Sequence, residues 1–280
     1  MSANLSLRAL LRDSSLASAD AKVLMAHVLE KHYHLPRSAL LSRNELELND
    51  IALEEWKKLE SKRLQGEPVA YLIGKRGFHN IELYVAPGVL IPRPETEILV
   101  EIGLQEIKRL NTPVSILDLG TGSGAIALAI ASDAPQAIVT ATDQSTEALD
   151  IAKSNAKQLN IADRVQFFQG SWYEALEGDA SFDVILSNPP YIASQDSHLN
   201  QGDLRFEPLS ALTDHGTGLS CLAAIISGAQ KRLKPNGLIA VEHGFDQSEA
   251  VVSLMKLAFL RDIQTHVDLG GHYRVASARK

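Results

Sequence analysis

The sequence predicts an α/β fold: a mostly parallel seven-stranded sheet with an antiparallel last strand, preceded by a small N-terminal helical domain. Three observations carry that expectation. From Val114 onward, short apolar runs of strand length alternate with segments of helical length, the pattern of a parallel sheet whose crossovers are helices. The first of these runs ends in a glycine loop, Gly120-Thr121-Gly122-Ser123-Gly124, placed directly before an apolar segment of helical length. Residues 1 to about 75, by contrast, read as helical.

Taken in order, Asp20 to Tyr33 holds Val23, Leu24, His27 and Val28 at helical spacing. Asn49 is an N-cap for a second helix with Leu53, Trp56, Leu59 and Leu64 along one stripe. His27 and Trp56 are read as packing residues, and Gln65-Gly66-Glu67-Pro68 ends the region. Gly77-Phe78-His79-Asn80 and Ala86-Pro87-Gly88 bracket an alternating Ile81 to Val85, which predicts a β-hairpin connector over residues 76–92. Ile91-Pro92-Arg93-Pro94-Glu95-Thr96-Glu97 then leads into a helix to about Arg109, with Glu95 and Glu97 as helix-start acids. Strands are expected at 114–119, 137–142, 164–169, 182–187, 238–243, 262–268 and 273–278. Gly270-Gly271 links the last two so tightly that they must pair antiparallel. The resulting division is 1–75 helical, 76–92 hairpin linker, and 93–280 a single α/β domain.

Bulk properties exclude several classes. With 280 residues, 45% hydrophobic and 22% charged, the composition is that of a soluble globular protein. The apolar run Ala125–Ala131 is far too short to span a bilayer. Met1-Ser2-Ala3-Asn4 lacks a basic stretch followed by an apolar one, so no secretory signal is expected. The only cysteine, Cys221, permits no internal disulfide, and a reducing cytoplasmic compartment is expected. Residues 1–75 carry 11 Lys/Arg against 10 Asp/Glu, while residues 76–280 carry 16 against 24. That acidic larger part opposes direct nucleic-acid binding, which relies on basic surface. No membrane association, no metal site and a monomer are expected.

The chemistry resides in two motifs. The glycines let backbone approach a ligand closely at the carboxyl edge of the sheet. Their spacing is G-x-G-x-G, with Asp118 two residues before the first. A pyrophosphate site favours G-x-G-x-x-G, whereas an acid before the loop favours a ligand carrying a cationic amino group, such as S-adenosylmethionine. Asp143, ending the second strand, can accept two hydrogen bonds from ribose hydroxyls, or else cap the helix after Ser145. Trp172, after the third strand, offers a ring to stack on adenine. The second motif is Asn188-Pro189-Pro190-Tyr191, delivered by the apolar run Phe182–Ser187. Asn188 supplies a carbonyl acceptor, the two prolines remove two backbone donors and leave carbonyls free, and Tyr191 adds a flat face. The turn suits a planar group carrying NH2, a carboxamide or a nucleobase amine alike.

Together these pieces resemble a class I methyltransferase, a Rossmann-like fold. Val89 to Glu97, Asp118 to Ala131, Asn188 to Ile192, Arg205-Phe206-Glu207-Pro208 with Ala211-Leu212, and Glu242-His243-Gly244 with Gln247 resemble the HemK-like protein glutamine methyltransferases across essentially the whole chain. Thr217 before Gly218, and His272-Tyr273 after Gly271, depart from that pattern outside the ligand motifs. The resemblance implies an S-adenosylmethionine-dependent methyltransferase domain over 93–280, with S-adenosylhomocysteine as product. It places the cofactor on Asp118, Gly120, Thr121, Gly122, Ser123, Gly124, Asp143, Trp172 and Asn188. It also places a substrate glutamine on Asn188, Pro189, Pro190 and Tyr191, with Asn188, Pro189 and Tyr191 catalytic. It implies methylation of the glutamine of the Gly-Gly-Gln motif of class 1 peptide chain release factors, with residues 1–75 recognising that protein. Three alternatives remain: glutamine methylation of a ribosomal protein, adenine-N6 or cytosine-N4 methylation of nucleic acid, and a non-enzymatic adaptor. The acidic larger part opposes the nucleic-acid reading, and the intact Asn188 turn opposes the adaptor.

Overall fold

The computed structural model describes residues 5–280. The chain divides into two compact units, one ending at Lys75 and the other beginning at Arg76. The first unit comprises α1 (Leu7–Asp13), α2 (Ser18–Tyr33), α3 (Ala39–Ser42), α4 (Asp50–Leu64) and α5 (Val69–Ile73). Leu24, Met25, Val28 and Leu29 of α2 pack with Ala52, Leu53, Trp56 and Leu59 of α4 in one core. Trp56 is fully enclosed there, and His27 lies half-buried beside Glu55. The expected stripe stops short of Leu64, which is 56% exposed because the helix ends at that residue.

Asn49 caps α4 as its sequence position predicts, its Oδ1 accepting from Ala52 N at 2.9 Å. Asn49→Ala leaves that buried-end N–H without its partner and is expected to destabilise the first unit by about 1 kcal/mol. Denaturant unfolding followed at Trp56 reads the change; an unaltered midpoint would remove the cap from the account.

The second unit opens with a two-stranded sheet, β1 (Lys75–Phe78) and β2 (Ile81–Tyr84). Phe78, Ile81 and Leu83 are buried in the main core of this unit, so the hairpin expected as a connector is anchored in it by its own apolar face. The large sheet contains β3 (Val114–Leu119), β4 (Ala137–Asp143), β5 (Val165–Gln169), β6 (Phe182–Ser187), β7 (Leu233–Glu242), β8 (Arg261–Val267) and β9 (Tyr273–Arg279). Their order is β5-β4-β3-β6-β7-β9-β8. All pairs are parallel except those of β9, which runs antiparallel to both β7 and β8. β7 starts earlier than its apolar run because Lys234-Pro235-Asn236 continue the strand through an irregular pairing with β6.

Helix α6 (Glu97–Leu110) precedes β3, and the helices between the strands are α7 (Ala125–Asp133), α8 (Thr146–Gln158), α10 (Ser220–Arg232) and α11 (Ser248–Leu257), with a short α9 (Leu209–Leu212) before α10. Successive strand side chains point to opposite faces. Ile116, Val139 and Val184 therefore join α6 and α7 in one apolar layer. Leu117, Leu119 and Ile185 join α10 and α11 in the other. After β3 the chain steps outward to β4 and β5, then returns to add β6 on the opposite side of β3. The connections leaving β3 and β6 diverge at their carboxyl ends, and that reversal opens a crevice.

Candidate active site

A cavity of about 400 Å³ occupies this crevice, within the range of small-ligand sites. Ser187 Oγ donates to Leu119 O at 2.7 Å and holds together the two strand ends that border it. Gly120, Thr121, Gly122, Ser123, Asp143 and Trp172 line one part of the wall, and Asn188 and Pro190 another. The expected cofactor loop and the expected acceptor turn thus face one space.

The loop is tied to the neighbouring strand: Gly120 N and Thr121 N both donate to Thr142 O at 2.9 Å. Gly120 has φ +72°, and a Cβ there would meet the Trp172 ring at 3.1 Å, so only glycine lets the indole close over the loop. Trp172 itself holds φ +46°, an uncommon conformation for a bulky residue and one that clusters at functional sites. Asp143 Oδ2 accepts from Gly122 N and Oδ1 from Ser145 N, both at 2.9 Å. Burial raises its pKa, while the N–H groups of Ser145 and Gly122 pull it down. Two of its roughly four acceptor positions are used, leaving others for a ligand. The cap of α8 is Ser145, whose Oγ accepts from Ala148 N.

Four expected site residues do not line the cavity. Asp118 is fully buried behind the loop, because its position in β3 turns the side chain inward. Its Oδ2 accepts from Thr121 Oγ1 at 2.6 Å and Ala127 N at 3.2 Å, joining the loop to α7. Its Oδ1 is buried without a partner, and burial raises its pKa to about 7. Gly124 turns into α7 at φ +88°. Pro189 is buried, though its carbonyl accepts no hydrogen bond among the described residues. Tyr191 packs its ring against the second apolar layer instead of facing the cavity, and its hydroxyl donates to Glu242 Oε1 at 3.0 Å. The flat face expected of Tyr191 is thus engaged in the interior, and its hydroxyl tethers the turn to β7.

That turn is held from several sides. Gln247 Nε2 donates to Tyr191 O at 2.9 Å. Gly218 packs so closely that a Cβ would lie 2.3 Å from the same oxygen. Asn188 Nδ2 donates to Thr96 Oγ1 at 2.9 Å. Glu207 is a buried anchor: it accepts from Ile91 N at 3.0 Å and pairs with Arg93. This pairing brings Leu90 and Pro92 to the same mouth as Pro208 and Ala211. Sequence reasoning left Thr96 and Glu242 without a role, although both lie within the quoted motifs. The signal for them is polarity at positions that become 4% and 1% exposed. His243 is buried with Nδ1 against Gly244 O, burial lowers its pKa, and it does not line the cavity. Among the described residues, no cluster of side chains is suited to hold a metal ion, and no helix is long and apolar enough to cross a membrane.

Sheet order, glycine loop and the paired cavity walls define a class I methyltransferase. Residues 96–206 match the Methyltransferase small domain and residues 6–74 the PrmC N-terminal domain. A release factor glutamine methyltransferase of Bordetella pertussis is 47% identical, over 96% of this chain and 97% of its own length. One from Burkholderia pseudomallei is 43% identical, over 96% and 94%. A methyltransferase structure from Pyrococcus furiosus shares the fold, with a TM-score of 0.54 and 17% identity over 80% of this chain and 98% of that one. The chain belongs to the release factor glutamine methyltransferase family.

Proposed function

We propose that the protein transfers a methyl group from S-adenosylmethionine to the side-chain amide nitrogen (N5) of the glutamine in the Gly-Gly-Gln motif of class 1 peptide chain release factors. One observation carries the reading beyond family membership. The NH2 of Asn188 is spent on Thr96, so its Oδ1 is the end left to act as an acceptor, in a cavity shared with the glycine loop and Asp143. The cavity fits the cofactor. Gly120 leaves backbone room, Asp143 has unused acceptor positions, and Asp118 Oδ1 is an unpartnered acceptor behind the loop.

When bound, S-adenosylmethionine supplies an electrophilic methyl and leaves as S-adenosylhomocysteine. The protein's task is to present a poor nucleophile, because the amide lone pair is delocalised into its carbonyl. Asn188 Oδ1 and the Pro189 carbonyl accept the two amide hydrogens, orient the nitrogen toward the methyl, and favour the positive charge that grows on it. Orientation of this kind supplies up to about 7–11 kcal/mol in ideal cases, and acceptors aimed at developing charge add to it. The amide proton is lost to water after transfer. Gly120 to Ser123, Asp143 and Trp172 hold the cofactor, and the first unit recognises the protein substrate. The compartment is the cytoplasm, where release factors act.

Labelled S-adenosylmethionine offered with a release factor, its Gly-Gly-Gln glutamine variant, a ribosomal protein or DNA tests the reading. Label on the intact release factor alone is expected. Label on DNA or ribosomal protein alone would overturn it.

A further inference from the structure

Asn155 lies on α8 at 1% exposure, and the methyl transfer described above gives it no part. A carboxamide is costly to bury unless neighbours take up its hydrogen-bonding groups. Its Oδ1 accepts from Tyr84 N at 2.8 Å, and its Nδ2 donates to Tyr84 O at 3.0 Å and to Ser123 O at 2.9 Å. Two carbonyls and one N–H face it, so its partners settle which end is oxygen. Ionised aspartate has the same shape but no donor, and leucine has the size but neither function.

The three bonds join two parts of the cavity wall that are distant in the chain. Ser123 belongs to the glycine loop and lines the cavity. Tyr84 ends β2, and the chain beyond it supplies Gly88, Val89 and Leu90 to the same cavity. This strap is fixed at its far end by Glu207, which accepts from Ile91 N at 3.0 Å. Between the two anchors Gly88 holds φ +110°, and a Cβ there would lie 2.6 Å from the carboxyl carbon of Glu147 on α8. Asn155 is thus the near anchor of the strap and, through Ser123 O, a support of the loop.

We propose that Asn155 is a positioning residue that sets the glycine loop and the 88–90 strap in one frame, so that a displacement of the strap is carried to the loop; its bearing on catalysis rests on the cofactor site given under the proposed function. The strap leads on to Leu90 and Pro92 at the mouth shared with Pro208 and Ala211. The residue therefore bears on both ligands at once. Its loss weakens cofactor binding through the loop and substrate binding through the mouth.

The test compares wild type with Asn155→Leu, Gly88→Ala and the double variant. Asn155→Leu is expected to weaken S-adenosylhomocysteine binding by about 10-fold, the scale of one or two lost hydrogen bonds, and to raise the release-factor KM. A mere loss of folded protein would instead lower kcat at unchanged affinity and KM. Gly88→Ala moves the strap without touching the loop, because alanine does not accept the left-handed backbone and its Cβ meets Glu147. A ligand-free readout is the 15N signal of the Gly124 amide, which shares its peptide group with Ser123 O. That signal should shift in Gly88→Ala and not shift further when Gly88→Ala is added to Asn155→Leu, and the effects of the two substitutions on affinity should fall short of additive. No shift in Gly88→Ala, the same shift in both backgrounds, or unchanged affinity and KM in Asn155→Leu overturns the proposal. Should Asn155→Leu fail to fold, Asn155→Asp takes its place, and a silent Gly124 signal in Gly88→Ala alone still overturns it. If the signal behaves as expected and wild type labels no release factor, the function fails and the positioning stands. If release factor is labelled and the signal does not respond, the positioning fails alone.

Discussion

Asn188→Ala is expected to lower kcat on a release factor by about 10²–10³-fold, the usual cost of removing one group aimed at charge developing in a transition state. The wild-type side chain has its Nδ2 committed to Thr96 and its Oδ1 left for the cavity. Alanine removes that acceptor and leaves Thr96 Oγ1 without its donor. The Pro189 carbonyl remains, so one of two acceptors survives and residual turnover persists. Affinity for S-adenosylhomocysteine should change much less, because the glycine loop and Asp143 are untouched. Release-factor KM should also hold, since a protein substrate is bound over a larger surface than one amide. Steady-state kinetics and calorimetry separate these quantities. Near-normal kcat would sink the role given to Asn188, and a large loss of cofactor affinity at unchanged kcat would move it to the cofactor site.

Asp143→Ala is expected to act on the other half of the cavity, weakening S-adenosylhomocysteine binding by about 100-fold, equivalent to ~3 kcal/mol. Hydrogen bonds to a charged group contribute about 1.5–3 kcal/mol each. The carboxylate accepts from Gly122 N and Ser145 N at 2.9 Å, and in the proposed function its remaining acceptor positions take the ribose hydroxyls. The substitution therefore removes ligand contacts and loosens the loop that carries the remaining ones. At saturating cofactor, kcat should fall far less than in Asn188→Ala. An unchanged affinity by calorimetry would refute the ribose assignment, and loss of the folded state would show in the unfolding curve before any binding is measured.

Much of the fold was legible because its determinants are local. Strand-length apolar runs, the helix cap at Asn49, and the Gly270-Gly271 turn each act over a few residues. The early start of β7 escaped because Lys234-Pro235-Asn236 carry no apolar signal and are drawn into the strand by their neighbours. In the site, the glycine loop, Asp143, Trp172 and Asn188 were readable as residues that end strands at a sheet edge. Asp118 and Tyr191 were readable as participants but not in orientation: each side chain turns toward the interior and serves the wall from behind.

The sequence alone determined the α/β architecture, the glycine loop and the Asn188 turn, since periodicity and turn chemistry are properties of short segments. Only the tertiary structure decided which end of Asn188 faces the cavity. That depends on Thr96, 92 residues away in the chain, whose Oγ1 accepts from Asn188 Nδ2, while Tyr191 is tied to Glu242 across 51. Hydrogen bonds of such range exist only once the sheet has brought the ends of β6 and β7 together with the segment before α6. Burial, which pushes Glu242 toward a pKa of about 7, is likewise a property of the packed molecule and of no segment within it.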